Sequence, residues 1–205
     1  MSQPSSGQIA CLFLVFLPLP PSWCVSADHL AKDPWEVRSM NEDLKRLTAD
    51  LNADDEQVRA TAAEALCHQG ETARPAAVSL VLGLADPSDS VVEWSAAALE
   101  GIGPPDPNQL QELIGLLKHD SPDVGYWAAT LIGRLREQGA DATAALADLL
   151  AGDAATNVKQ RAAWTLSKIG PAANAALPAL RTAAAGDDPR LARLAARAIQ
   201  LIQGY

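Results

Sequence analysis

The residues best equipped for chemistry in this chain are three indoles, a phenol, a carboxylate and a set of cations at near-regular intervals. They are Glu93 with Trp94, Tyr126 with Trp127 and Arg134, Arg161 with Trp164 and Lys168, and finally Arg193 and Arg197. Trp, Tyr and Arg dominate interface hot spots because each joins a large apolar or planar area to a polar handle. Their chemistry is recognition. Catalysis would need a nucleophile or acid beside a base, and no tight grouping of carboxylate, His and thiol is present to activate water or a nucleophile. The chain is therefore expected not to be an enzyme. Cys67 is the only cysteine after residue 27, and His29, His68 and His119 have no partners at ligand spacing, so no disulfide, metal or cofactor is expected.

The elements that position these residues come from one phrase written five times. Val58, Val91, Val124, Val158 and Leu191 open it, at spacings of 33, 33, 34 and 33 residues. Five residues on stands Ala63, Ala96, Ala129, Ala163 or Ala196; eight on stands Leu66, Leu99, Ile132, Leu166 or Ile199. The clearest copies close with Gly70, Gly103 and Gly170. Units this small cannot bury an apolar face alone and must stack. Aromatic content of 4% alongside abundant Ala and Leu predicts an all-α protein. Each repeat reads as two antiparallel helices. Leu44, Leu47 and Leu51, or Leu110, Leu113 and Leu117, share one face of the first helix, and the fourth copy carries Leu146 and Leu150 displaced by one. Asp54-Asp55, Asp86-Pro87-Ser88-Asp89, Asp120-Ser121-Pro122-Asp123 and Asp187-Asp188-Pro189 supply cap oxygens and early prolines for the second helix. Ser39 with Glu42 resembles a capping box, which sets the start of the array near Met40.

The phrase from Val58 to Leu66, written again from Val158 to Gly170, resembles the short HEAT repeat of the phycobilisome-lyase type, over about residues 41–203. Ankyrin and tetratricopeptide signatures are absent. The resemblance implies a right-handed α-solenoid of about five two-helix HEAT repeats, with second helices lining the concave surface and protein recognition as the usual role. It also implies a basic residue just after the anchor, near the preceding turn's Asp. That position reads Arg59, Val92, Gly125, Lys159 and Ala192, so any ladder of such pairs is interrupted. Gly125 inside a helix costs about 1 kcal/mol relative to Ala and marks the third repeat as a weak point.

At 100° per residue, anchor offsets 0, 4, 5 and 8 face the core and offsets 2, 3, 6 and 10 face away. The outward residues run from Ala60, Thr61, Glu64 and His68, through Glu93, Trp94, Tyr126, Trp127, Thr130 and Arg134, to Gln160, Arg161, Trp164, Lys168, Arg193, Leu194 and Arg197. Residues 28–123 carry a net charge of −12 and residues 124–205 one of +3, so the two halves see different fields. The leading expectation is a noncatalytic protein-binding scaffold whose strip holds a protein or peptide. The tryptophans could instead pack between repeats. One alternative is an accessory enzyme, since the family resemblance raises bilin lyases and HEAT-like DNA glycosylases, with Glu93, Trp94, Trp127 and Arg161 as the imitating constellation. Another is single-strand binding by Arg134, Lys159, Arg161, Lys168, Arg190, Arg193 and Arg197 with Trp127 and Trp164. The net charge of −9 disfavours nucleic acid as a partner of the whole molecule. A monomer is expected.

Every Asp, Glu, Lys and Arg falls at or after Asp28. Before it, Ile9 to Leu17 is an apolar run followed by Pro18, Pro20 and Pro21 and then Val25-Ser26-Ala27, a small-residue cleavage site. The run falls short of the roughly 20 residues a membrane-spanning helix needs. Residues 1–27 therefore read as a signal peptide, 28–39 as a linker and 40–205 as the repeat domain. Cleavage after Ala27 would make the protein periplasmic or secreted; a true start at Met40 would make it cytoplasmic. The N-terminal residue of the natural protein distinguishes the two.

Overall fold

Alanine and leucine at helical spacing, punctuated by Asp, Pro and Gly, divide the chain into ten α-helices within residues 34–204, the part that the computed structural model describes. They pair as α1 (Pro34–Asp50) with α2 (Glu56–Gln69), α3 (Ala77–Gly83) with α4 (Asp89–Gly101) and α5 (Leu110–Leu116) with α6 (Pro122–Arg134). Two further pairs follow: α7 (Thr143–Ala151) with α8 (Thr156–Ile169) and α9 (Leu177–Ala184) with α10 (Pro189–Gln203). Short 3-10 segments join each pair to the next, and the described residues hold no strand. The result is the expected all-α solenoid of five two-helix repeats.

Two of the four turns cap as their sequences suggest, whereas Ser88 and Ser121 stand at the N-caps of α4 and α6 without a side-chain cap bond. Asp55 accepts the Gln57 amide at 2.8 Å and Asp188 accepts those of Arg190 and Leu191, while Pro122 and Pro189 occupy the first helical turn. One start is different. The first helix already runs at Pro34, so Ser39 lies inside it and caps nothing; residues 34–39 are helix rather than linker. Propensity carries the helix through Glu36 and Arg38, where no breaker stands. The leader, residues 1–27, lies outside the described residues.

Leu66, Leu99, Ile132 and Leu166 are all completely buried and form a spine through the stack. The anchors Val91, Val124 and Val158 and the alanines Ala63, Ala129 and Ala163 join it, while Ala96 and Leu191 are half-buried, Val58 is 39% exposed and Ala196 is exposed. The two exposed residues lie on terminal second helices, each of which has a neighbouring second helix on one side only. Two positions assigned outward, Ala60 and Thr130, are buried. Thr130 sits on α6, which packs against α3, α5 and α8 and therefore has little free face; its hydroxyl turns back to the Tyr126 carbonyl at 2.8 Å.

Gly125, the expected weak point, sits at a close approach. A Cβ there would lie 3.2 Å from the Leu117 carbonyl oxygen and 3.5 Å from Val158 Cγ1, so glycine lets the turn before α6 come close. Ser95 takes the place of the alanine four residues after the other anchors; its fully buried Oγ has no hydrogen-bond partner among the described residues.

Neighbouring repeats are also tied by polar bonds. Arg59 forks onto Asp86, the turn of the next repeat rather than the preceding one, at 2.7 and 3.0 Å, and also donates to the Ala53 and Asp54 carbonyls of its own turn. Between repeats four and five the tie is made by Gln160, which donates to the N-cap Asp188 at 2.7 Å in place of a bond from Lys159. Burial works to raise the Asp86 pKa, but the bonds from Arg59 and the Ser88 amide outweigh it and hold the carboxyl below its ordinary range. A pKa depressed by folding contributes stability above the unfolded value of about 3.9, and that stability is lost as pH falls through the folded value. Urea midpoints should therefore drop as the wild type is taken from about pH 5 to pH 2. Asp86→Asn should be weaker at neutral pH and show a shallower acid drop; an unchanged acid profile would remove Asp86 from the account.

Candidate functional site

Second helices lie along one another from α2 to α4 and from α6 through α8 to α10, but α4 and α6 approach sparsely. Across that gap Arg134 donates to the Leu99 and Gly103 carbonyls at 2.7 and 3.1 Å, closing the C-terminal end of α4. Its guanidinium also stands 5.6 Å from the centre of the Trp127 ring. Burial pushes the Arg134 pKa down, with Glu100 opposing.

The predicted residues on α6 and α8 form one connected cluster. Tyr126 and Trp127 meet edge to face with centres 6.2 Å apart. Arg161 lies between two rings, 4.2 Å from the centre of Tyr126 and 4.9 Å from that of Trp164, and donates to the Tyr126 hydroxyl. Lys168, one turn beyond Trp164, stands 5.5 Å from the same indole. Such contacts fix cations on aromatic faces while leaving donors free. Burial lowers the Arg161 pKa, and the charge of Arg190 lowers it further.

The other predicted residues stay apart from this cluster. Trp94 meets His68 at 5.9 Å between α4 and α2. Glu93, Arg193 and Arg197 are exposed and make no hydrogen bond, ion pair or ring contact among the described residues. Trp94, Tyr126 and Trp127 are half-buried against the core, and Trp164, also half-buried, rests on α6 at Gly133, where a Cβ would lie 2.4 Å from its ring.

Two features escaped the sequence reading. Asn157, Gln160, Arg190 and Leu194 join Tyr126, Arg161 and Trp164 around a cavity of about 200 Å³. Arg190 counts among the basic residues of the second half, but only the packing of α10 against α8 brings it to Arg161. The second feature is Arg136, which stands where the other copies have Gly70, Gly103 and Gly170 and shares their positive φ, at 54°. It lines a groove of about 490 Å³ with Arg134, Lys168, Pro104 and Pro105. A side chain in this region costs about 1 kcal/mol or more. Arg136→Gly should therefore raise the unfolding free energy by about 0.5–1 kcal/mol, read from urea unfolding; destabilisation would mean that the side chain holds the loop together.

A larger cavity, about 580 Å³, lies between the turns before α6 and α8, bordered by Leu117, His119, Gly125 and Asp153 and sharing no residue with the aromatic cluster. Among the described residues no group of three or more His, Cys, Asp or Glu could hold a metal ion, and no helix is long and apolar enough to cross a membrane.

Fold and site together define an α-solenoid of short helical repeats that displays an aromatic and cationic face on its second helices. The family model for HEAT repeats matches residues 44–125 and 110–200, and the chain belongs to that family. No curated protein matches it. Among solved structures it is similar to an engineered protein of the Northeast Structural Genomics Consortium, at 26% identity and a TM-score of 0.55, over 78% of this chain and 81% of that one. A designed armadillo repeat protein in complex with the peptide (KR)4 is 22% identical, with a TM-score of 0.53 over 76% and 80% of the two chains. The complex of CpcE and CpcF of phycocyanin lyase from Nostoc is 21% identical, with a TM-score of 0.51 over 78% and 99%.

Proposed function

We propose that this protein is a noncatalytic scaffold that holds an extended or helical segment of a partner protein along the outward face of α4, α6 and α8. The observation that carries this reading is the connected set Tyr126, Trp127, Arg134, Arg161, Trp164 and Lys168, all hot-spot types or cations. Rings held by neighbouring cations lose little freedom on binding, which favours affinity. The likeness in fold to an armadillo design in complex with the peptide (KR)4 supports a peptide as the partner. Glu93, the carboxylate that an enzyme reading would need, makes no bond to the cluster.

Peptide-display selection on the full chain should enrich sequences that bind the wild type and lose at least about tenfold in affinity on Trp164→Ala. Circular dichroism of the variant must show that the solenoid persists. Selected peptides that bind the folded variant equally well would remove the cluster as the site. Steeply salt-dependent binding of a single-stranded oligonucleotide, lost on Arg161→Ala, would favour nucleic acid instead.

A further inference from the structure

We infer that the cavity between α8 and α10 is a carboxylate site, which takes a Glu or Asp side chain of the bound segment onto Arg161 and Arg190. The inference rests on the scaffold reading and names the chemistry of its partner. The lining is Tyr126, Asn157, Gln160, Arg161, Trp164, Arg190 and Leu194: two guanidinium groups, two amides, a phenol and apolar walls, with no acidic residue. Its volume of about 200 Å³ suits a side-chain head group better than a drug-sized ligand.

Arg161 differs from the paired arginines of the chain. Arg59 has Asp86, Arg74 has Glu71 and Arg46 has Asp43, whereas Arg161 is half-buried with no carboxylate in ion-pair range among the described residues. Its one hydrogen bond goes to the Tyr126 hydroxyl, while a guanidinium carries five N–H donors in a fixed fork that matches a carboxylate. The rings of Tyr126 and Trp164 already fix the plane of that fork. Asp188, which accepts from Gln160, is committed to capping α10 through the Arg190 and Leu191 amides. The lowered pKa of Arg161, caused by burial and by Arg190, agrees with a cation lacking its counter-ion. A guanidinium taken partly out of water and oriented in this way gains most from an incoming anion.

The test is random-peptide display against the full chain, run in parallel on the wild type, Arg161→Gln and Arg190→Gln. Wild-type selections should converge on peptides with Asp or Glu at one shared position, and Arg161→Gln selections should not. In the best peptide, Glu→Gln should weaken binding to the wild type about tenfold or more and to Arg161→Gln less than about twofold. If Arg161→Gln does not fold, the exposed Arg190→Gln carries the same comparison. Selected peptides without a shared acid that still depend on Trp164 would overturn the carboxylate site and leave the scaffold reading standing; an absence of any enriched peptide would overturn both. Acidic peptides that bind in any residue order and release at high salt would reduce the site to a diffuse field. A concentration-dependent mass increase abolished by Arg161→Gln would assign the cavity to the acidic half of a second copy and overturn the partner assignment.

Discussion

Leu99→Ala is expected to lower the unfolding free energy by about 3 kcal/mol, within the range of about 2–5 measured for buried leucines. Leu99 is fully buried in the spine that also holds Leu66, Ile132 and Leu166. What raises the cost is its place. α4 and α6 approach sparsely, and the Leu99 carbonyl itself receives Arg134 across that gap at 2.7 Å. A cavity beside a junction with little backbone contact cannot be filled by sliding α6 inward, because Arg134 is also fixed at Gly103. In a stacked array, stability divides into units and nearest-neighbour interfaces, so loss at this junction uncouples the first two repeats from the last three. Urea unfolding should show a lower midpoint and a broadened or split transition. Leu201→Ala on the terminal helix, where the side chain is 41% exposed, is the control and should cost under about 1 kcal/mol. Equal effects at the two positions would show that the spine is not what couples the repeats.

The spine was legible because its residues recur. A position that packs against the next repeat meets the same neighbour each time and is held to the same kind of side chain, so Leu66, Leu99, Ile132 and Leu166 stand out against any background. The exceptions follow from broken equivalence. Val58 and Ala196 repeat the pattern but sit on terminal helices, and Thr130 occupies an outward offset on a helix enclosed by three others. Periodicity describes an average neighbour and cannot report which copy lacks one.

The candidate site was legible in type and only partly in arrangement. Tyr126, Arg161, Trp164 and Lys168 share a cluster because the stacking of α6 on α8 places residues about one repeat apart side by side. Arg193 and Arg197 follow the same register without meeting a ring, since the face of α10 offers none. Arg190 was hidden for another reason. It lies in the first turn of α10, whose approach to α8 is tied by the bond from Gln160 to the capping Asp188, and no spacing in the sequence announces that bond. Arg136 was visible as a missing glycine but carried no sign that the backbone would keep its glycine-like φ.

Gly133→Ala should change sign with the residue at position 164, a result that tests how firmly the binding face is built. In an isolated helix this substitution stabilises by about 1 kcal/mol. Here the new Cβ would fall 2.4 Å from Trp164 Cζ3, 3.1 Å from Cε3 and 3.2 Å from Thr165 Oγ1. Thr165 cannot yield, because it is fully buried and its hydroxyl is bonded to the Ala129 carbonyl at 2.6 Å. The indole can leave only by giving up the cations Arg161 and Lys168 that lie over it. Overpacking of this kind costs about 1–3 kcal/mol, enough to cancel the gain in propensity and leave a net loss. In a Trp164→Ala background only the contact with Thr165 remains, and Gly133→Ala should become neutral or stabilising by up to about 1 kcal/mol. A stabilising effect in the wild-type background would mean that Trp164 swings away at little cost. Arg161 would then be free to move with it, and the aromatic face would have to be ordered by its partner rather than presented ready-made, with slower association as the measurable consequence.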